Sequence, residues 1–158
     1  MKQLFLFRHA KTEPISFFQT DFERRLIEKG IDDMSKVSNY FQTKYIAPEI
    51  ILYSNANRTT ETFELFSKLI SFKNKSIAIE KLYHSSASDI LNIIEPFEKE
   101  YKNIMVIGHN FGISTLANAL SAKGCESLSP GGMAIFNFEN KIELYKGELI
   151  DCIKPKNI

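Results

Sequence analysis

The sequence predicts a single α/β domain over residues 1–158. It has three layers, a mainly parallel sheet with helices on both faces, and an antiparallel hairpin at its C-terminal end. Three observations carry this. Short apolar runs that stop abruptly at polar residues or glycine alternate with longer stretches of helical periodicity, the pattern of βαβ units. A length of 158 residues fits one domain of ordinary size. A composition 44% hydrophobic and 25% charged is that of a globular chain, not of a disordered or collagenous one.

The elements follow in order. Residues 3–7 form an apolar run that ends at Arg8-His9 and reads as a buried strand. After a polar loop containing Pro14, helical spacing runs from about Leu26 to Lys44, with Met34, Val37, Tyr40 and Phe41 on one stripe, until Pro48 breaks it. Ile50–Tyr53 is a second buried strand ending at Ser54. A helix over Arg58–Leu69 follows, its apolar face made by Phe63, Phe66, Leu69 and Ile70. Ile77–Ile79 is a short third strand. Ser88 or Asp89 caps a helix running to about Tyr101, buried along Ile90, Ile93, Ile94 and Phe97. Ile104–Ile107 is a strong strand closed by Gly108-His109-Asn110, and a helix from Gly112 to about Ala122 stops at Lys123-Gly124. Two last strands, Met133–Phe138 and Lys141–Tyr145, are expected to pair across Glu139-Asn140.

Charge and composition exclude several classes. Twenty basic residues against nineteen acidic leave a net charge of +1, which argues against a nucleic-acid or polybasic membrane-surface protein. The apolar runs are too short to span a bilayer, and the N-terminus lacks the pattern of a signal peptide. Cys125 and Cys152 make neither a metal spacing nor a disulfide framework. A reduced, cytoplasmic setting is expected, with both thiols packed as small hydrophobes. Only four of the twenty basic residues are Arg (Arg8, Arg24, Arg25 and Arg58) and the rest are Lys. A chain that uses Arg so sparingly directs attention to positions needing a planar, bidentate fork.

Ligands of open α/β sheets bind outside the carboxyl ends of the strands. Three strand ends here carry candidate groups: Arg8-His9, Ser54 to Arg58, and His109-Asn110. Two of the three histidines and two of the four arginines thus share one rim. Imidazoles and guanidiniums without a metal-ligand cluster suit a dianionic phosphoryl group, which Arg forks pair bidentately. The helix beginning near Gly112 can aim free N–H groups at the same anion. No nucleotide-cradling glycine loop and no G-x-S-x-G elbow occurs. Covalent phosphoryl transfer at histidine is what remains.

These residues also resemble a known family. Leu4-Phe5-Leu6-Phe7-Arg8-His9-Ala10 is similar to the Arg-His-Gly signature of the histidine phosphatase superfamily, with Ala10 in place of glycine. The segment from Ser54 through Arg58 to Thr62 resembles that superfamily's Ser-Pro-x-x-Arg-x-x-x-Thr, with Asn55 replacing proline, and Val106–Asn110 continues the likeness. Asp21–Gly30 and the tail Gly147–Pro155 are similar to segments of the short bacterial phosphohistidine phosphatases of the SixA type. The resemblance implies that His9 is the nucleophile, that Arg8, Arg58 and His109 grip the phosphoryl oxygens, and that Arg24 adds a further guanidinium. Arg25 falls where the family often has proline and is read as a surface residue.

His9 must then attack through a neutral ring nitrogen while its other nitrogen donates to a backbone carbonyl, and surrounding cations are expected to disfavour the imidazolium. No metal or organic cofactor is called for. The proton donor departs from the family pattern, because Asn110 stands where one branch has an acid and His84 stands where another has Glu. His84 is the candidate donor, set against its reading as an exposed loop histidine; Glu13 and Asp21 are weaker candidates. Without a firm acid, a leaving imidazole is easier to expel than an alkoxide, so the expected substrate is phosphohistidine borne by a protein. A small-molecule phosphomonoesterase and a non-catalytic phosphate- or phosphoprotein-binding module remain the alternatives.

Overall fold

The computed structural model describes all residues, 1–158. Its strands are β1 (Lys2–Arg8), β2 (Ile50–Ser54), β3 (Lys75–Ile79), β4 (Asn103–Gly108), β5 (Met133–Phe138) and β6 (Glu148–Ile153). The helices are α1 (Glu28–Lys44), α2 (Asn57–Leu69), α3 (Ala87–Ile94) and α4 (Gly112–Leu120). One six-stranded sheet has the order β3-β2-β4-β1-β5-β6. The first four strands by sequence run parallel, β5 is antiparallel to β1, and β6 is antiparallel to β5.

The apolar runs have a simple physical basis. Side chains alternate across a strand, so a strand covered on both faces must be apolar at every position. Leu4 and Leu6 of β1, Ile50 and Leu52 of β2, and Ile104 and Val106 of β4 face one cluster, completed by Ile90 and Ile94 of α3 and Ile113, Leu116 and Leu120 of α4. Phe5 and Phe7, Ile51, and Met105 and Ile107 face the other, completed by Met34, Val37 and Phe41 of α1 and Phe66 of α2. Edge-to-face contacts tie Phe5 to Phe41 and Phe7 to Phe66, each at 5.3 Å between ring centroids. Full burial of each such side chain stabilises the fold by roughly 1.5–3 kcal/mol before entropy is counted. No helix is long and apolar enough to cross a membrane.

Two sequence expectations need correction. The third helix begins earlier and ends sooner than its periodicity indicates. Ser86 caps it, accepting from the Asp89 N–H while the Asp89 carboxylate accepts from the Ser86 N–H. It ends at Ile94 because Pro96 has no N–H to continue the ladder, and the chain turns on through residues 95–100. The partner of β5 is Glu148–Ile153, not Lys141–Tyr145. Ile142 is drawn into the core and its N–H is taken by the Glu98 carboxylate. The N–H groups of Tyr145 and Gly147 satisfy carbonyls of Ala119 and Leu120 at the end of α4. With these contacts drawing the segment toward α4 and Glu98, it does not pair with β5, and the hairpin closes through a longer loop.

Candidate active site

The sheet order places β4 between β1 and β2, so the chain leaving these three adjacent strands meets at one edge. His9 follows β1 and His109 follows β4, with ring centroids 5.3 Å apart. Arg58 enters from the first turn of α2 after β2, and all three side chains are almost wholly buried.

The backbone holds His9 from several sides. Its N–H donates to Gly108 O at 3.2 Å, and its carbonyl accepts from Gly131 N–H at 2.9 Å, with Gly131 in the left-handed region at φ 75°. The next residue, Ala10, donates its N–H to Thr62 Oγ1 at 3.0 Å. The ring's Nδ1 lies 2.7 Å from Ala10 O, an oxygen that can only accept, so Nδ1 carries the proton and the Nε2 lone pair is free. Burial, aided by the charges of Arg58, Arg8 and Arg24, lowers the His9 pKa to about 3 against the opposing bond to Ala10.

His109 is held neutral too. Burial and then the neighbouring His9 and Arg58 lower its pKa to about 3. Its Nε2 pairs with Ser54 Oγ at 2.8 Å, and its Nδ1 is buried without a partner. Arg8 donates from Nη1 to Leu128 O at 2.9 Å while its Nε is buried and unpaired. Arg58 donates to Asp21 O and Asp21 Oδ2 at 2.6 and 2.9 Å, and its Nε is also buried and unpaired. Three nitrogens around His9 therefore lack partners, which buried polar atoms seldom do.

Asp21 is the residue whose importance the sequence reading understated. Its carboxylate accepts from Arg58, from Arg24 at 2.9 Å and from the Tyr83 hydroxyl at 2.5 Å. Burial alone would raise its pKa; the bonds from Tyr83, Arg24 and Arg58 reverse that and hold it well below the usual carboxylate range. Asp21 is thus a positioning group that stays ionised. Tyr83 was also overlooked. Its ring packs 5.5 Å from the His109 ring, with the Arg58 guanidinium 5.8 Å from its centroid. The Asp21–Arg24 segment carried a signal for the first, but nothing local in sequence marked the second.

The remaining candidates are placed as follows. Arg24 spends Nε, Nη1 and Nη2 on Glu13 O, Asp21 Oδ1 and Thr12 Oγ1, so it braces the loop and lends charge. Arg25 is exposed and pairs with Glu61. The Glu13 carboxylate is tied to the Gln19 side chain and the Arg25 N–H, which keep it ionised. His84, at φ 58°, lies against Tyr83 with ring centroids 3.9 Å apart and planes tilted by 45°. It lines an open groove of about 600 Å3 with Lys81, Ser85 and Asp89. Gly112 lets α4 start against this loop, since a Cβ there would lie 2.0 Å from Ser85 O.

The two depressed histidines make the fold acid-sensitive. Between about pH 6.5 and pH 3 the unfolded chain binds protons that the folded chain refuses, so stability rises with pH across that window and is lost as pH falls through it. The expected slope is up to about 1.4 kcal/mol per pH unit for each imidazole. Urea midpoints at pH 7 and pH 5 check this, and equal midpoints would contradict the burial of two neutral rings.

Comparison with known proteins gives a consistent picture. No protein-family model matches the chain. It is 28% identical over 129 residues to an uncharacterized chloroplastic protein of Arabidopsis thaliana, the match spanning 76% of this chain and 59% of that protein. It is 25% identical to an uncharacterized protein of Mycobacterium leprae, across 94% of this chain and 99% of the relative. Among solved structures, phosphoserine phosphatase of Entamoeba histolytica with 3-phosphoglyceric acid overlays with a TM-score of 0.67 at 16% identity, covering 96% of both chains. The solved structures that share this fold are members of the histidine phosphatase superfamily. Small SixA proteins share it along nearly their whole length. A candidate phosphohistidine phosphatase SixA from Agrobacterium tumefaciens overlays at TM-score 0.85 and 22% identity over 98% of both chains. The protein histidine phosphatase SixA solved with tungstate does so at 0.85 and 16%, again over 98% of both.

Proposed function

We propose that this chain is a phosphatase that works through a phosphohistidine formed at His9, and that its preferred substrate is phosphohistidine carried by a protein. The observation that carries the reading is the set of three buried nitrogens without partners, Arg8 Nε, Arg58 Nε and His109 Nδ1, gathered around a neutral His9. The two guanidinium N–H groups, and His109 Nδ1 in the tautomer that accepts from Ser54 at Nε2, suit the equatorial oxygens of a transferring phosphoryl group, where preorganised donors do most of the catalytic work. Likeness of fold to a SixA protein solved with tungstate, an oxyanion, supports the same direction.

In the proposed reaction, His9 Nε2 attacks phosphorus in line with the leaving group. The new P–N bond forms as the bond to the substrate breaks, with Nδ1–H kept on Ala10 O. A substrate imidazole protonated on its second nitrogen departs as a neutral ring. Water then attacks phospho-His9, the P–N bond breaks, and dihydrogen phosphate leaves with both of the water's protons. Arg24 adds charge, and Asp21 fixes the Arg58 fork. Because Asp21 and Glu13 are held ionised, neither is a proton donor, which favours leaving groups that need none. His84, packed against Tyr83, is the proton donor this reading assigns to ester substrates. No metal or organic cofactor enters the scheme.

A small-molecule phosphomonoesterase is the second reading, favoured by the overlay with the Entamoeba phosphoserine phosphatase. The test is hydrolysis of a phosphohistidine-bearing protein beside p-nitrophenyl phosphate. Loss of phosphohistidine with little ester turnover is expected. Efficient ester turnover would move the assignment to the second reading, and phosphate binding without any turnover would make the chain a binding module.

A further inference from the structure

Thirteen Phe residues are present, and ten of them are buried or half-buried. The three exposed ones lie at the sheet edge that carries the site. Phe17 and Phe18 are fully exposed in the loop that follows His9, and Phe111, at 84%, comes two residues after His109. Ile15, at 80%, extends the first group. The loop is braced at its base, where Arg24 donates to Glu13 O and Thr12 Oγ1 and Gln19 donates to the Glu13 carboxylate. The loop runs from His9 to Asp21, which binds Arg58, so both of its ends lie at the pocket and its aromatic tip is exposed between them.

We infer that Phe17, Phe18 and Phe111 form an apolar collar that docks the folded protein bearing the phosphohistidine, set around the cationic pocket that takes the phosphoryl group. This rests on the proposed function and names how its substrate is read. A small phosphorylated molecule seated between His9, Arg58 and His109 has no use for rings that point fully into solvent. A histidine side chain is short, so a protein whose phosphohistidine reaches His9 must bring its surface down onto the rim. At roughly 150–250 Å2 per aromatic side chain, the collar with Ile15 offers an area close to the ~800 Å2 that one partner contributes to a standard interface. That is too little for the larger apolar interfaces of obligate dimers, and a second copy seated here would close both active sites. Charge fits as well: a dianion meets Arg8 and Arg58 at the centre, with the charge of Arg24 behind them, and flanking aliphatic side chains meet the rings.

The experiment compares two substrates: phosphoimidazole, and a histidine-containing phosphocarrier domain phosphorylated with phosphoramidate. The enzymes are wild type, the double variant Phe17→Ser/Phe18→Ser, and Phe111→Ser. Being exposed, these positions tolerate serine without loss of core. The double variant is expected to raise KM for the phosphoprotein about tenfold, as loss of aromatic anchors does, with kcat nearly unchanged and phosphoimidazole kinetics untouched. Unaltered phosphoprotein kinetics, or equal losses on both substrates, overturn the collar. A wild-type dimer that the double variant dissolves would mark a copy-to-copy interface and overturn it too. Failure of wild type on both substrates rejects the reading of the site itself, a result distinct from these.

Discussion

Replacing His9 with alanine is expected to lower turnover by about 10⁴-fold or more, the scale seen when a covalent nucleophile is removed. The argument is geometric. His9 has one ring nitrogen fixed as a donor to Ala10 O and its other nitrogen unprotonated, with a pKa lowered to about 3. Over the physiological range essentially every molecule holds a competent nucleophile, and no other neutral imidazole has this arrangement. His109 differs, because its Nε2 is engaged with Ser54 Oγ and no backbone carbonyl fixes its tautomer. Wild type quenched during turnover should yield an acid-labile, alkali-stable phosphoryl group on the His9 peptide, absent from His9→Ala. Phosphoryl transfer that persists in the variant would falsify the nucleophile assignment.

Arg58→Ala should cost about 10²–10³ in kcat, about 3–4 kcal/mol of transition-state stabilisation, as expected for removing one preorganised donor. The side chain is 4% exposed, with two nitrogens on Asp21 and Nε left free. Arg58→Lys should recover little of the loss, since an ammonium cannot hold Asp21 through two nitrogens while aiming a third at the site. The split between kcat and affinity decides between classes. A catalyst loses rate, whereas a binding module loses phosphate affinity alone. Steady-state kinetics together with calorimetric titration of inorganic phosphate separate the two. Asp21, left with Arg24 and Tyr83, remains paired, so the folded state should survive the substitution.

Much of this arrangement was legible from residue order. β1, β2 and β4 read clearly because strands buried on both faces are apolar throughout and stop where the site begins. The scarcity of Arg drew attention to all four arginines and the strand ends to Arg8 and Arg58, whereas Arg24 followed from the family resemblance; the charges of Arg8, Arg24 and Arg58 all act on His9. The last strand differs from its expected place because Lys141–Tyr145 alternates while Glu148–Ile153 does not, and alternation does not say which backbone donors are already committed. The third helix ran too long because its apolar stripe continues past Pro96, whose missing N–H ends the ladder.

What the sequence by itself determined is the layered α/β architecture and the presence of His9, Arg8, Arg58 and His109 at strand ends, since burial on both faces and chain polarity are local properties. What only the tertiary structure decided is the tautomer of His9, the role of Asp21 as the ionised clasp of two arginines, and the packing of the Tyr83 ring against both His109 and His84. Asp21 meets Arg58 and Tyr83 across 37 and 62 residues. Such contacts depend on where the sheet order and loops deliver side chains from distant segments, and protonation follows from the burial and charge that result. No local pattern encodes either.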